Sequence, residues 1–283
     1  MKPWWKRTAI LLLALLTILP AGLSEEDGEL EIEEIVEYVD LDAVSYEGVE
    51  WTFPVALEDM RPEYVILANK HYLLDQDYVT EPLITVKKRN SDGSNGGVLK
   101  ASDSKMQLQE TCVQALHEMS EAAMADGYRL YLKSAYRSYQ TQKTMYYNRL
   151  EKNNGRDDGW VNKPGSSDHQ TGLGCDVVPR SWRSKSMNEK MAKEPECQWM
   201  AEHCQEYGFI LRYPSDKTEI TEIHFEPWHM RYVGIPAATY IMEHGLCLEE
   251  FTLELQAAIE DFLARGGDPS LVSAYIQKPT EAE

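Results

Sequence analysis

Apolar positions recur at helical spacing in several stretches of the chain. One pattern covers residues 108–123 and is followed by Gly127, where a helix would end. A second runs from Pro195, a residue favoured in a first helical turn, to residue 207. A third covers residues 248–263. Ser138 has a side chain preferred at an N-cap, so another helix is predicted to begin after it.

Short stretches rich in β-type residues lie between these helical patterns. They are RLYLKSAY at 129–136, LGCDVV at 173–178, FILRYP at 209–214 and EIHFEPWHMRYVG at 222–234. Helices that come first, followed by strands close together in sequence, predict an α+β fold. We expect a central, mainly antiparallel sheet flanked by helices.

The N-terminal residues form a separate unit of the sequence. A basic start precedes an apolar run from Ala9 to Leu19, which is shorter than the roughly 20 residues that a bilayer requires. This layout predicts a secretory signal over residues 1–24, with cleavage after Ser24, and an uncleaved membrane anchor is the alternative. In either case the remaining chain is expected to be secreted or to lie at the outer face of the cytoplasmic membrane.

Charge divides the rest of the chain unevenly. Every charged residue from Glu25 to Glu50 is acidic, so residues 25–59 are predicted to form an acidic extension. Residues 60–265 have the pattern of one globular domain, and residues 266–283 are expected to form a polar tail. The formal charge of −19 argues against a nucleic-acid partner, because phosphate binding depends on clusters of lysine and arginine.

The cysteines indicate buried thiols and no disulfide framework. There are five, an odd number, and no two have CxxC spacing. Three fall on helical patterns, where cysteine behaves as a small hydrophobic residue: Cys112, Cys197 and Cys204.

Two stretches combine metal-ligand residues with β-type surroundings. In a strand over residues 173–178, Asp176 would share one face with Gly174 and Val178, while its neighbours face the core. His169 could reach the same place across the flexible turn at Gly172. The alternative is a polar turn that leads into a buried strand, with no metal.

The stretch EPWH at 226–229 supplies a second pair of functional groups. Glu226 and His229 would face opposite ways on a regular strand, but Pro227 permits a bend that brings both to one cleft. Two imidazoles and one carboxylate leave a tetrahedral zinc with one open position, the arrangement of catalytic sites. A free carboxylate such as that of Glu226 could then act as general base. His224 is not expected to be a further ligand.

These residues resemble a known family, the VanY-type D-alanyl-D-alanine carboxypeptidases. The family's motifs are SxHxxGxAxD and ExWH. The first is matched by Ser167, His169, Gly172 and Asp176, whereas Gly174 stands where alanine is usual; the second is matched by Glu226, Trp228 and His229. Similarity in AYRSYQTQ and EYGFILRYP extends the resemblance over roughly residues 60–255.

The resemblance implies a fold shared with D-Ala-D-Ala dipeptidases, lysostaphin-type endopeptidases and the hedgehog domain. It implies one zinc ion per chain, held by His169, Asp176 and His229, with Glu226 as the base. By the same resemblance, Arg137 would stabilise the oxyanion, and Ser167 would bind the terminal carboxylate of the substrate. Gln142 would contact substrate, with an ordinary helix-surface position as the alternative.

The function expected on this basis is that of a secreted zinc D,D-carboxypeptidase that removes the terminal D-Ala from peptidoglycan stem peptides. The partners would be stem peptides or their precursors, and the membrane only through an uncleaved N-terminal segment. One alternative is L,D-carboxypeptidase action on tetrapeptide stems, and another is an endopeptidase with a cleft open at both ends. A catalytically silent cell-wall-binding module is a further alternative, although such a module has no need of Glu226.

Overall fold

The structure is a computed structural model that describes residues 44–78, 82–86, 92 and 97–280. The predicted signal or anchor (1–24) and most of the predicted acidic extension lie outside the described residues. Within the described part, two small antiparallel pairs are separate from the main sheet. They consist of β1 (Ser45–Tyr46) with β2 (Val49–Glu50), and of β3 (Leu83–Thr85) with β5 (Gln107–Gln109).

A five-stranded sheet forms the centre of the described chain, in the order β4–β6–β7–β9–β8. The first pair, β4 with β6, is parallel, and the remaining pairs are antiparallel. The prediction of a mainly antiparallel sheet is confirmed. The strands are β4 (Lys100–Ala101), β6 (Leu130–Ser134), β7 (Gly174–Pro179), β8 (Phe209–Leu211) and β9 (His229–Tyr232).

The helices fall close to the predicted positions. Ser138 caps α2, since its side chain accepts a hydrogen bond from the backbone N–H of Thr141. The segment that begins at Pro195 changes to a 3₁₀ turn at Cys204 and ends at Gly208, which is left-handed with φ 78°. The helices are α1 (Glu110–Ala125), α2 (Tyr139–Lys152), α3 (Pro195–His203), α4 (Thr218–Thr221), α5 (Ile235–Glu243), α6 (Leu248–Ala264) and α7 (Pro269–Val272).

One face of the central sheet is apolar and packs against α1 and α3. Because side chains alternate along a strand, β7 directs Cys175 and Val177 to this face, and β9 directs Met230 and Tyr232. All five cysteines of the chain are buried and free, as the sequence indicated. The alternate residues of β7 and β9 point to the opposite face, which carries the polar groups described below.

A second apolar cluster joins the C-terminal helices to the segment before the sheet. It packs Trp51, Phe53 and Leu67 against Phe251 and Phe262 of α6. The described part of the predicted tail contributes too, because Val272 and Tyr275 are buried in this cluster. The predicted domain boundaries stay predictions, but residues on both sides of them pack on one body. Among the described residues, none of the helices has the length and hydrophobicity needed to cross a membrane.

Candidate metal centre and active site

The polar face of the sheet brings the predicted metal ligands together. Asp176 on β7 lies directly opposite His229 on β9 in the strand register. His169 lies in the 3₁₀ turn Asp168–Thr171 that precedes β7. That turn ends at Gly172, which has a left-handed φ of 70°, and His169 lies against Asp176 of the strand that follows.

The two distances from Asp176 to the ligand histidines match the spacing of a tetrahedral metal site. The Oδ1 atom of Asp176 lies 3.5 Å from Nε2 of His169 and 3.4 Å from Nδ1 of His229. All three ligand atoms lie within 4.8 Å of one another, and all three residues are buried. Ligands bound to zinc at about 2.0–2.1 Å in a tetrahedron are separated by roughly 3.3–3.4 Å. The set therefore fits a zinc ion.

A main-chain carbonyl fixes the orientation of one ligand. The Nδ1 atom of His169 lies 2.7 Å from the carbonyl oxygen of Ala135, which can only accept a hydrogen bond. The proton of the neutral imidazole is therefore on Nδ1, and the lone pair is on Nε2, the atom that faces Asp176. An imidazole anchored in this way is typical of metal ligands.

The electrostatics of the cluster favour a cation. Burial alone would lower the pKa of His229, but hydrogen bonds and charge interactions with Asp176 and Glu226 raise it to about 10. Burial would likewise raise the pKa of the Asp176 carboxyl, yet His169 and His229 hold it well below its usual value. The carboxylates thus demand positive charge at their centre, and a divalent metal ion supplies it.

Glu226 reaches this cluster from just outside β9. The bend expected at Pro227 is present, because β9 begins only at His229 and the N–H of His229 donates to the carbonyl of Glu226. The Oε2 atom of Glu226 lies 3.3 Å from Nδ1 of His229. Burial raises the pKa of this carboxyl. A carboxylate beside the ligands with a raised pKa suits the role of general base.

Arg137 enters the site from the segment after β6. The register of β6 against β7 shifts between Leu132 and Ser134, which places Ser134 opposite Asp176. The backbone N–H of Arg137 then donates to the carbonyl of His169 at 3.1 Å. Burial lowers the pKa of the guanidinium, while the charges of Asp176 and Glu226 oppose that effect. A fixed cation thus faces the cluster of carboxylates.

Gln142 is held between Arg137 and a neighbouring loop. Nη1 of Arg137 donates to Oε1 of Gln142 at 2.6 Å, and Nε2 of Gln142 donates to the carbonyl of Asn162 at 2.6 Å. The side chain is fully buried, so it is not the ordinary helix-surface residue considered from the sequence. Its observed contacts orient Arg137, and a direct contact with substrate stays a prediction.

Ser167 and His224 have different surroundings. The hydroxyl of Ser167 is buried and has no hydrogen-bond partner among the described residues, so it is available to a ligand. His224 is outside the ligand set, as expected, since its ring stacks on Trp160 at 4.4 Å and its Nε2 lies 2.9 Å from the carbonyl of Asp158.

A second group of charged residues lies beside the metal ligands, and we call it the buried charge cluster. Arg212 donates from Nε to Asp168 at 2.7 Å and from both terminal nitrogens to Glu249 at 2.7 and 2.8 Å. Arg231 donates to the other oxygen of Asp168 and to the carbonyls of Tyr64 and Ile66. The members of the cluster are Asp168, Arg212, Arg231 and Glu249.

The buried charge cluster was not found from the sequence. Burial would raise the pKa of Asp168, but Arg231 and Arg212 lower it, so the carboxylate is held ionised. One signal was available, namely an arginine inside each of the apolar stretches FILRYP and HMRYV. Because a fully buried arginine requires a partner, this pattern indicates paired charges, although it does not identify the acidic residues.

Glycine stands at position 174, where the family motif usually has alanine, and Asp168 of the buried charge cluster gives this a steric reason. A Cβ atom at this position would lie 2.8 Å from the Cβ of Asp168 and 2.9 Å from its carbonyl carbon. Real side chains do not approach that closely, so alanine would require Asp168 to move. Glycine at 174 lets Asp168 pack directly against β7.

Comparisons with known proteins agree with this geometry. The model of the family "VanY: D-alanyl-D-alanine carboxypeptidase" matches residues 105–235. YodJ of Bacillus subtilis (strain 168), whose name describes a carboxypeptidase, is 35% identical over 192 residues, which cover 67% of each chain. The chain belongs to the VanY D-alanyl-D-alanine carboxypeptidase family.

Solved structures of VanY-family and related carboxypeptidases have the same fold and identify the metal. The LdcB LD-carboxypeptidase is 33% identical, with a TM-score of 0.59, over 74% of this chain and 92% of that one. A vancomycin-resistance D,D-pentapeptidase VanY in complex with Zn(II) is 32% identical, with a TM-score of 0.52, over 67% of this chain and 98% of that one. The protein is accordingly a zinc metallopeptidase, and its candidate zinc ligands are His169, Asp176 and His229.

Proposed function

We propose that this protein is an exported D,D-carboxypeptidase that removes the terminal D-Ala from peptidoglycan stem peptides. The observation that carries the proposal is that Glu226 and Arg137 lie beside the three candidate zinc ligands, while the buried hydroxyl of Ser167, two residues before His169, has no partner among the described residues. Together they provide a base, a fixed cation and a free buried hydroxyl. The family's description supports a D-Ala-D-Ala substrate, and the sequence of residues 1–24 supports export.

The chain's own groups divide the work of cleaving the terminal peptide bond. Bound zinc supplies Lewis acidity, which polarises a carbonyl and lowers the pKa of a water molecule. Glu226 takes the proton of the attacking water and delivers it to the nitrogen of the departing D-Ala as the peptide bond breaks. Arg137 stabilises the negative charge that develops on the carbonyl oxygen. Ser167 donates its hydroxyl hydrogen to the free carboxylate, which limits cleavage to the last residue.

The alternative of L,D-carboxypeptidase action has one observation in its favour. The LdcB LD-carboxypeptidase has a higher TM-score to this chain, 0.59, than the D,D-pentapeptidase VanY, 0.52. The matched motifs concern the metal and the base, which both kinds of enzyme need. The stereochemistry of the penultimate residue must therefore be read from products.

Mass spectrometry of defined muropeptides tests the proposal. Pentapeptide stems ending in D-Ala-D-Ala, and tetrapeptide stems ending in a single D-Ala, are incubated separately with the zinc-loaded full chain. We expect loss of one alanine from the pentapeptide and little change in the tetrapeptide. Trimming of the tetrapeptide alone would replace the proposal with the L,D reading, and internal cleavage would indicate an endopeptidase.

A matched variant separates catalysis from contamination and from simple binding. Glu226→Ala removes the proposed base and leaves the three candidate zinc ligands in place. It should bind the pentapeptide without shortening it. If neither the natural chain nor this variant released alanine, while both retained the peptide, the chain would be a wall-binding module.

A further inference from the structure

One nitrogen of His229 has no direct partner. Its Nδ1 atom faces Asp176 and Glu226, at 3.4 and 3.3 Å, on the side of the metal ligands. When Nδ1 acts as a ligand, the proton of the neutral ring must lie on Nε2. That atom is buried and has no hydrogen-bond partner among the described residues. His169 differs, because its second nitrogen is bonded to the carbonyl of Ala135 at 2.7 Å.

The acidic group that faces Nε2 of His229 belongs to the buried charge cluster. The Oδ2 atom of Asp168 lies 3.9 Å from Nε2. This distance is too long for a hydrogen bond, but both side chains are almost completely buried, so the charge acts with little screening by water. A carboxylate on the outer nitrogen of a ligand histidine orients the ring and increases its basicity.

The position of Asp168 is set in turn by more distant residues. Arg212 holds one of its oxygens at 2.7 Å and is itself gripped by Glu249 through two parallel hydrogen bonds at 2.7 and 2.8 Å. Such a fork-to-carboxylate pair fixes direction as well as distance. Glu249 lies on α6, outside residues 105–235 that the family model matches. A geometric chain thus runs from α6 to the ring of His229.

We propose that Glu249 is a positioning residue of the metal centre, which acts through Arg212 and Asp168 on the ring of His229. It touches neither metal nor substrate. Its effect is on how tightly zinc is held and on the geometry of its ligands. The inference rests on the zinc ligands and is independent of which stem peptide is cleaved.

Measurement of zinc affinity tests the proposed role of Glu249. The full chain is loaded with zinc, and the dissociation constant is measured by competition with a chromogenic chelator under conditions where each variant is folded. We expect Glu249→Gln and Asp168→Asn each to weaken zinc binding by about 10- to 100-fold, the range observed when outer partners of metal ligands are removed. Unchanged zinc affinity in Glu249→Gln would overturn the proposal.

A control on the same helix separates positioning from general loss of stability. Leu255 is buried on α6 in the second apolar cluster, and its truncation to alanine loosens the packing of the helix and leaves the charges intact. We expect Leu255→Ala to lower the melting temperature and to keep the zinc affinity of the natural chain. Equal weakening of zinc binding in this control would show that Glu249 acts only through the packing of α6.

The double variant with Glu249→Gln and Asp168→Asn tests whether Glu249 acts on the metal centre through Asp168. If Glu249 acts through Asp168, then Glu249→Gln should weaken zinc binding little further once Asp168→Asn is present, because the two effects share one path. Additive effects would contradict the route.

Should Glu249→Gln fail to fold, Glu249→Asp keeps the charge but shortens its reach. We expect this variant to alter the visible spectrum of the cobalt(II)-substituted protein, which reports ligand geometry, and an unaltered spectrum would refute the proposal.

Discussion

The metal ligands and the buried charge cluster are neighbouring groups of charged residues with opposite designs. In the buried charge cluster, two carboxylates face two guanidinium groups, and Asp168 has an arginine on each oxygen. Among the metal ligands, by contrast, Asp176 lies 3.4–3.5 Å from the ligand nitrogens, which is the spacing of metal ligands and not of strong hydrogen bonds. One group of charges is neutralised internally, and the other is arranged for a cation from outside.

This difference explains which of the two groups can perform chemistry. A buried group that is fully paired resists change, since moving any member leaves another charge uncompensated. The metal ligands, by contrast, have the donor atoms of a cation site and no internal counter-cation except a protonated histidine. The buried charge cluster lies next to the metal ligands, with 3.9 Å between Oδ2 of Asp168 and Nε2 of His229.

The largest effect is expected from removal of a zinc ligand. His229→Ala should lose stoichiometric metal and nearly all turnover, because two remaining ligands do not make a closed zinc site. Elemental analysis of protein purified without chelator should give about one zinc per natural chain. His224→Ala is the matched control, since His224 lies on Trp160 outside the ligand set, and it should keep its zinc. Full metal content in His229→Ala would show that the ligand set is wrong.

Loss of the proposed base should reduce turnover and leave the metal in place. Glu226→Ala is expected to lower kcat by about 10²- to 10⁴-fold, the usual contribution of a general base. Glu219→Ala, which removes an exposed glutamate nearby in sequence, is the control and should match the natural chain. A near-normal kcat in Glu226→Ala, with zinc bound, would remove this residue from the mechanism.

Disruption of the buried charge cluster should reduce stability. Arg212→Met leaves Glu249 without its arginine and Asp168 with Arg231 alone, so the free energy of unfolding should fall by about 3–5 kcal/mol. Arg149→Met breaks the partly exposed pair with Asp158, where water screens the charges, and should cost at most about 1 kcal/mol. Denaturant unfolding with chelator present measures both. Equal costs for the two variants would contradict the internal neutralisation described above.

Arg137 and Ser167 should affect different kinetic constants. Arg137 is proposed to meet charge that exists only in the transition state, so Arg137→Ala should lower kcat by about 10²-fold or more. Ser167 is proposed to meet the carboxylate throughout, so Ser167→Ala should mainly raise KM. Steady-state kinetics on a peptide ending in D-Ala-D-Ala separate the two, and the reverse pattern would exchange their roles. Arg137→Lys should recover only part of kcat, because an ammonium lacks the planar fork.

A smaller loss of stability than in Arg212→Met is expected at Gly174, which packs against Asp168 of the buried charge cluster. Gly174→Ala should reduce stability by about 1–3 kcal/mol, the typical cost of an added methyl group in a packed region. The reason is the 2.8 Å approach of the new Cβ to Asp168. Thermal unfolding would measure it. An unchanged melting temperature would mean that Asp168 shifts freely, which contradicts a position fixed by two arginines.

The sequence predicted the parts of this site that depend on local pattern. Alternation along β7 placed Asp176 away from the core, and Pro227 indicated the bend that brings Glu226 beside His229. The pairing of Arg212 with Glu249 joins residues 37 apart in sequence. The pattern of apolar residues within one segment does not identify such a partner, because the pairing depends on how α6 packs in the folded chain. The sequence also did not predict the burial of Gln142, because its partner Asn162 lies outside its own helix, in a loop 20 residues further along the chain.

The buried charge cluster joins parts of the chain that are synthesised at different times, and Arg231 is an example. Its guanidinium bonds the carbonyls of Tyr64 and Ile66, which precede it by 167 and 165 residues. A growing polypeptide that has just passed His229 already contains every candidate zinc ligand, yet it still lacks Glu249 and the rest of α6. If Glu249 positions the metal centre as proposed, the chain acquires its full zinc affinity only after α6 has been synthesised, later than the last of the candidate zinc ligands.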